Sequence, residues 1–237
     1  MNLKRWRRIA PVMFVFILIL SVAWAPAQDP PSSYTRMAPL EQYLMADQKA
    51  EIALAQSAAP DAISRDAKVL VLTRHGYETV LPGKNGFVCV VERSWMSPSD
   101  SAEFWNPKIR GPVCFNPPAA RSILPTTYKK TELVLAGKSK VEVNASLKAA
   151  WDRKQLPSLE LGAMSYMMSK HAYLTDDGHH NLAHLMFYAP LTDATAWGAD
   201  LPNSPVTLNP QFKGIQPVDV FVVPVGKWSD GTSAPVM

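Results

Sequence analysis

The hydrophobic and polar positions of this chain form runs that predict helices in some places and strands in others. An apolar stripe with helical spacing begins at Leu40, directly after Pro39, and an alanine-rich stretch continues to Ala58. Pro39 suits a first helical turn and Pro60 ends the pattern, so this stretch predicts a helix. Residues 69–72 are instead four consecutive apolar residues, which is typical of a strand buried on both faces.

Residues 68–93 as a whole predict a hairpin. The run 82–86 is dense in turn-forming residues, and it separates the strand at 69–72 from a second apolar run at 87–91. The simplest interpretation pairs these two runs with each other.

Residues 94–125 carry many prolines and little regular pattern. Loops of this length in a compact domain are usually functional or held down by a cross-link. The loop also carries large aromatic residues: Trp95, Phe104, Trp105 and Phe115. These side chains form either a small additional core or one wall of an aromatic pocket.

The remaining part of the sequence, after residue 125, predicts both helices and strands. Residues 126–136 predict a helix, and a capping box formed by Ser139 and Glu142 opens another that ends before Pro157. Residues 218–225 predict a final strand, in which Pro224 favours an edge position or a bulge. The order of helix, hairpin, helices, hairpin and strand predicts an α+β fold: a mainly antiparallel sheet with helices packed on one face, in a single domain over residues 39–237.

The N-terminus has the pattern of an export signal. A basic cluster precedes a short apolar run, and Ala25-Pro26-Ala27 places small residues where a signal peptidase cuts. We therefore expect residues 1–27 to be a signal peptide, with cleavage before Gln28, and the protein to be periplasmic or secreted. An uncleaved membrane anchor is the alternative. Residues 28–38, polar and rich in proline, are expected to form a flexible leader.

Cleavage changes the charge of the chain. The whole sequence has 24 basic and 20 acidic side chains, but four of the basic ones lie in the signal, so the mature chain has 20 of each. A neutral chain argues against nucleic acid or an anionic membrane as partner, because both require a basic surface. No stretch after the signal is apolar enough to predict a membrane span.

The chain has two cysteines, Cys89 and Cys114. In an oxidising compartment two cysteines most often form a disulfide, and such a bond would pin the long loop to the strand before it. A free catalytic thiol and a buried reduced pair are the alternatives.

Residues 162–190 carry four of the five histidines. If Asp177-Gly178 is a two-residue hairpin turn, His171 lies directly opposite His184. One face of the hairpin is then polar, with the side chains of His171, Tyr173, Thr175, His180, His184 and Tyr188. The other face carries Leu185 and Phe187 and is expected to pack on the core.

The polar face is the candidate site. Its proposed ligand-binding residues are His171, Tyr173, His180, His184 and Tyr188. Directly opposed side chains have Cβ atoms about 5 Å apart, so His171 and His184 are also a candidate metal-binding pair. A zinc site needs three or four ligands. Glu78, Glu92 or His75 could supply a third, but the sequence does not locate them. His180 and His184 lie about 13 Å apart on a strand, too far to hold one ion together.

Five short strings resemble a group of exported bacterial proteins that has no assigned activity. They are Arg74-His75-Gly76-Tyr77, Asn85-Gly86-Phe87-Val88-Cys89, Phe104-Trp105-Asn106-Pro107, Cys114-Phe115-Asn116-Pro117 and Lys227-Trp228-Ser229-Asp230-Gly231. The resemblance implies export and assigns no catalytic role to any residue. No motif for a nucleotide, a dinucleotide, a nucleophilic serine or a zinc protease is present, so no particular cofactor is indicated.

Three functions are consistent with the sequence. The first is binding of a small molecule or metal ion between the His171/His184 face and the aromatic loop. The second is a hydrolase in which His171 or His184 is the general base. The third is an envelope protein-interaction module that uses the Pro- and Trp-rich loop 94–125, with an unknown protein partner.

Overall fold

A computed structural model describes residues 34–178 and 182–235. The helices are α1 (Gln48–Gln56), α2 (Asp61–Ser64), α3 (Pro117–Ser122), α4 (Leu124–Leu135) and α5 (Lys140–Asp152). The strands are β1 (Lys68–Thr73), β2 (Gly76–Leu81), β3 (Val88–Glu92), β4 (Gly111–Phe115), β5 (Met164–Met167), β6 (His184–Pro190), β7 (Thr207–Asn209) and β8 (Val218–Pro224). Single-turn 3-10 helices cover Leu40–Gln42, Ser94–Met96, Ala194–Trp197 and Pro210–Phe212.

The eight strands form one sheet in the order β2-β1-β3-β4-β5-β6-β8-β7. Strands β1 and β3 run parallel, and every other neighbouring pair is antiparallel. The structure therefore confirms a single α+β domain with a mainly antiparallel sheet and helices packed against it.

The predicted pairing of the first hairpin is wrong. Strand β1 turns at Arg74-His75 and pairs antiparallel with β2, a strand that the apolar pattern did not indicate. The predicted returning strand, β3, lies on the other side of β1 and parallel to it. β2 was missed because its middle is exposed and its ends are only partly buried, so it lacks a continuous apolar run.

The two faces of the sheet are both covered. On one, which we call the α1 face, Ala55 of α1 and the alanines just after the helix pack on Val69, Val91 and the two cysteines. On the other, the α4 face, α3 and the start of α4 pack on residues such as Leu70 and Val113. The expectation of helices on one face holds for α4 and α5, whereas α1 lies on the opposite face. β3 and β4 are fully buried because they lie between these two layers.

The disulfide between Cys89 and Cys114 is confirmed. The two cysteines are directly opposed in the antiparallel pair β3–β4, and their Cα atoms are 4.0 Å apart. The bond therefore joins neighbouring strands at the centre of the sheet and lies under α1.

A buried ion pair fastens α1 to the sheet. Glu51 and Arg93 are each 1% exposed, and the Arg93 Nη2 donates to Glu51 Oε1 over 2.8 Å. The same guanidinium donates to the carbonyls of Tyr43 and Val91, and Glu51 Oε1 also accepts the Leu72 amide. Each charge is thus paired and hydrogen-bonded, as a buried charge must be.

The helix predictions hold in part. Residues 39–58 contain the 3-10 helix Leu40–Gln42 and then α1 instead of one continuous helix. α1 begins only at Gln48, where Asp47 caps it by accepting from the Lys49 amide. The capping box of α5 is present with both of its hydrogen bonds. The final strand β8 is not an edge strand: it lies between β6 and β7, and Pro224 is its last residue, beyond the part that pairs with β7.

Candidate functional site

The predicted pairing of His171 with His184 is wrong. β5 pairs with β6 so that His184 lies opposite Met167, four residues earlier than expected. His171 is exposed and lies outside the strands, in a long connection between β5 and β6. This connection is held by distant partners: the Met168 amide donates to Ala58, and Tyr173 bridges to Arg110. The chain does turn at residues 175–178, where the Gly178 amide donates to the Thr175 carbonyl over 3.4 Å, but the residues before this turn are held by these tertiary contacts and not by a hairpin partner.

The prediction that the histidine and tyrosine side chains of β6 lie on an open polar face is also wrong. His184, Met186 and Tyr188 point to the α4 face, and Tyr188 is 7% exposed in the largest cluster of core residues. Leu185 and Phe187 point to the opposite face and are only partly buried. Because both faces of the sheet are covered, polar side chains on alternate positions did not mark a solvent face.

Tyr188 is therefore an interior group, and His184 is partly buried. The Tyr188 hydroxyl is 2.9 Å from the Ser165 hydroxyl, and burial raises the pKa of Tyr188. Burial also lowers the pKa of His184, whose Nδ1 is 2.7 Å from the Leu182 carbonyl. His180 lies outside the described residues. Within residues 34–178 and 182–235, no three metal-binding side chains form a group that could hold an ion.

Tyr173 does approach the aromatic loop, through Asp176. The Asp176 carboxylate accepts from the hydroxyls of Tyr34 at 2.6 Å and Tyr173 at 2.7 Å, and from the Asn106 amide at 2.9 Å. Lys108 Nζ lies 3.3 Å away. These donors hold the pKa of Asp176 well below its usual range. The carboxylate ties three chain segments together, which is a structural role.

The aromatic loop forms core. Trp95, Phe104, Trp105 and Phe115 are all 6% exposed or less, and the first three belong to one cluster with Tyr43 and Leu147. Of the two interpretations of this loop, the structure supports the additional core. Its aromatic side chains do not offer a surface to a partner.

A buried acid–base pair lies under α4 and was missed by sequence reasoning. Glu92, the last residue of β3, accepts from the Thr127 hydroxyl at 3.0 Å, and burial raises its pKa to about 7. Lys130, one turn further along α4, is 3% exposed, and burial lowers its pKa to about 8. The only signal in the sequence is a glutamate that ends an otherwise apolar strand.

Two further polar groups in this interior have no partner among the described residues. They are the Ser94 hydroxyl and the Gln216 amide nitrogen. The Gln216 oxygen accepts from Thr126, the neighbour of Thr127 on α4. Perturbed acids and bases often mark functional sites, but structural networks perturb pKa values as well. The hydrogen bonds of Glu92 and Lys130 go to Thr127 and to the Ser97 carbonyl, and both side chains are enclosed by the core.

An exposed apolar surface lies at the other end of the sheet. Residues 191–206 cross the α1 face of β6, β8 and β7, and the segment is anchored there by Ala199 and Phe221. The Trp197 ring is stacked on the Phe221 ring, with centroids 4.4 Å apart and planes 7° apart. Trp197 is nevertheless 45% exposed, and Leu191 and Leu201 on the same segment are 64% and 46% exposed. We call these three side chains the Trp197 surface.

An open groove of about 550 Å³ lies between residues 36–40 and the end of α4, lined mainly by backbone and apolar side chains. It contains no acid–base pair and none of the predicted site residues. Among the described residues, no helix is both long enough and apolar enough to cross a membrane.

Comparison of the chain with protein-family models, curated proteins and solved structures finds no match to any of them.

Proposed function

We propose that this chain is an exported protein that acts by binding another polypeptide at the Trp197 surface. The observation that carries the proposal is the stacking of Trp197. One face of its ring covers the buried Phe221, and nearly half of the side chain remains exposed. Exposed tryptophans flanked by aliphatic side chains are characteristic of protein interfaces, where they supply much of the binding energy.

The other two functions have less support. The small-molecule and metal hypotheses depended on the pairing of His171 with His184, which does not occur. The hydrolase hypothesis expected a carboxylate to orient the histidine, whereas among the described residues the partner of His184 Nδ1 is the Leu182 carbonyl. Docking through residues 94–125 would use aromatic side chains that are buried. An interaction role therefore fits the Trp197 surface better than that loop.

Export is supported by the N-terminal pattern and by the disulfide, which persists in oxidising compartments. N-terminal sequencing of the protein recovered from an exporting bacterial host tests it, and the expected first residue is Gln28. Recovery of a chain that retains Met1 in the membrane fraction would contradict this part of the proposal.

Photo-crosslinking in the native host tests docking. A photoreactive amino acid at Leu201 is expected to give one discrete adduct, and the matched control is the same group at Val141, which is 77% exposed on α5. The adduct should disappear when Trp197→Ser is added. Its partner, identified by mass spectrometry and purified, should bind the wild type in titration. Equal adducts at both positions, or none at Leu201, would overturn the docking function.

A further inference from the structure

Resting on the proposed function, we infer that the partner places an arginine or lysine side chain on the free face of Trp197. Because the other face is packed on Phe221 at 4.4 Å, the indole is fixed and needs no rearrangement to receive a flat group. The faces of aromatic rings carry negative potential, and tryptophan attracts cations most strongly. A guanidinium group also stacks on such a face through its own plane.

The charges around Trp197 favour a cation. No lysine or arginine occurs between Lys170 and Lys213, a stretch that contains the whole of the Trp197 surface. Asp193 caps the 3-10 helix that ends at Trp197, and Asp200 lies three residues after it. Asp219 of β8 accepts from the amide of Thr192, the residue before Asp193, over 2.9 Å. Aspartates on the segment that carries Trp197, and one hydrogen-bonded to that segment, suit a basic partner residue and disfavour an acidic one.

The three carboxylates are fixed by the backbone. Asp193 Oδ1 accepts from the amide and the hydroxyl of Thr195, and these bonds lower its pKa. Asp200 Oδ1 accepts from the Leu208 amide over 3.3 Å. An asparagine at each position retains an oxygen for the same bond, so the charges can be removed without removing the local structure.

The test is an NMR titration that follows the indole N–H signal of Trp197, assigned with Trp197→Phe. The probes are synthetic peptides of alternating leucine and arginine, leucine and citrulline, and leucine and glutamate. Citrulline has nearly the shape of arginine without its charge. We expect saturable binding of the arginine peptide, with at least about tenfold weaker binding of the other two, as electrostatic selection at an interface rim permits.

Two sets of variants make the result specific. In the triple variant Asp193→Asn, Asp200→Asn and Asp219→Asn, the affinity for the arginine peptide should fall about tenfold. The control Asp61→Asn, Asp100→Asn and Glu132→Gln removes the same charge from exposed positions elsewhere and should leave binding unchanged. Trp197→Ser should abolish binding, whereas Tyr128→Ser, which removes an aromatic side chain of 39% exposure from α4, should not.

The outcomes separate this inference from the proposed function. Equal binding of the citrulline and arginine peptides would overturn the inference that the partner places a cation on Trp197. The proposed docking function would still stand if the Leu201 adduct forms. If the protein dimerises and Trp197→Ser abolishes the dimer, the surface binds a second copy of this chain, and the inference is overturned. Saturable binding of a chitin oligosaccharide at Trp197, with no peptide binding, would overturn both proposals.

Discussion

Replacing Glu92 with glutamine should change how the stability of the protein depends on pH. Burial raises the pKa of Glu92 from an ordinary value of 4.5 to about 7. Between these values the folded protein holds a proton that the unfolded chain releases. The stability that Glu92 contributes is therefore fully present below pH 4.5 and is lost as the pH rises through 7. The loss amounts to about 3 kcal/mol.

Other groups titrate in the same range, so the informative quantity is the difference between two proteins. Burial lowers the pKa of His184 below 6.5, and the stability that this group contributes is lost as the pH falls, opposite in sign to Glu92. Lys130 has a pKa of about 8 in the folded protein, which lies above the window. The wild-type free energy of unfolding minus that of Glu92→Gln should therefore fall by about 3 kcal/mol between pH 4.5 and 7.

Urea unfolding followed by circular dichroism at several pH values measures this difference. Glu92→Gln keeps an oxygen that can accept from Thr127, so the fold should be retained. Glu132→Gln on the exposed side of α4 is the control for loss of a carboxylate, and it should follow the wild type. If the difference stays constant from pH 4.5 to 7, Glu92 is ionised throughout the window and the reasoning from its burial is wrong.

Three further predictions concern stability and can be measured by urea unfolding. Replacing both cysteines with alanine should cost about 3 kcal/mol, since the bond closes a loop with a sequence separation of 25 residues, and an unchanged midpoint would contradict this. Glu51→Ala should cost about 3–5 kcal/mol because it leaves Arg93 buried without its counter-ion, whereas Glu78→Ala at an exposed position should cost far less. Tyr188→Phe should cost about 1–3 kcal/mol by leaving the Ser165 hydroxyl unpaired, and Ser165→Ala in the same chain should recover much of that loss; additive costs would refute the pairing.

The sequence predicted those parts of the fold that are governed by local chemistry. The capping box at Ser139, the buried run at 69–72 and the cysteine pair each carry their signal within a few residues or in the composition. Strand partners depend on distant contacts. Nothing near residues 87–91 distinguishes a hairpin partner of β1 from a parallel neighbour.

The candidate site failed for the same reason. Asp177-Gly178 has the composition of a tight turn, but the segment before it is held by Ala58 and Arg110, which are far away in the chain. Alternating polar residues on a strand indicate a solvent-exposed face only if one side of the sheet is open, and here Tyr188 of β6 is buried in the core cluster that includes the start of α4. The burial of Glu92 and Lys130 was missed because their environment exists only after β3 and α4 have packed together.

The position of the disulfide has a consequence for the order of folding events. Cys89 and Cys114 are directly opposed, and a slip of one residue between β3 and β4 would turn the two side chains to opposite faces of the sheet. Once oxidised, the chain carries the correct alignment of its two central strands as covalent information, even when it is unfolded. A chain that is unfolded with its disulfide intact therefore refolds with these two residues already joined, whereas the reduced chain must form the same alignment anew. Oxidation of the two cysteines therefore selects the register of β3 and β4 independently of the contacts that stabilise the folded sheet.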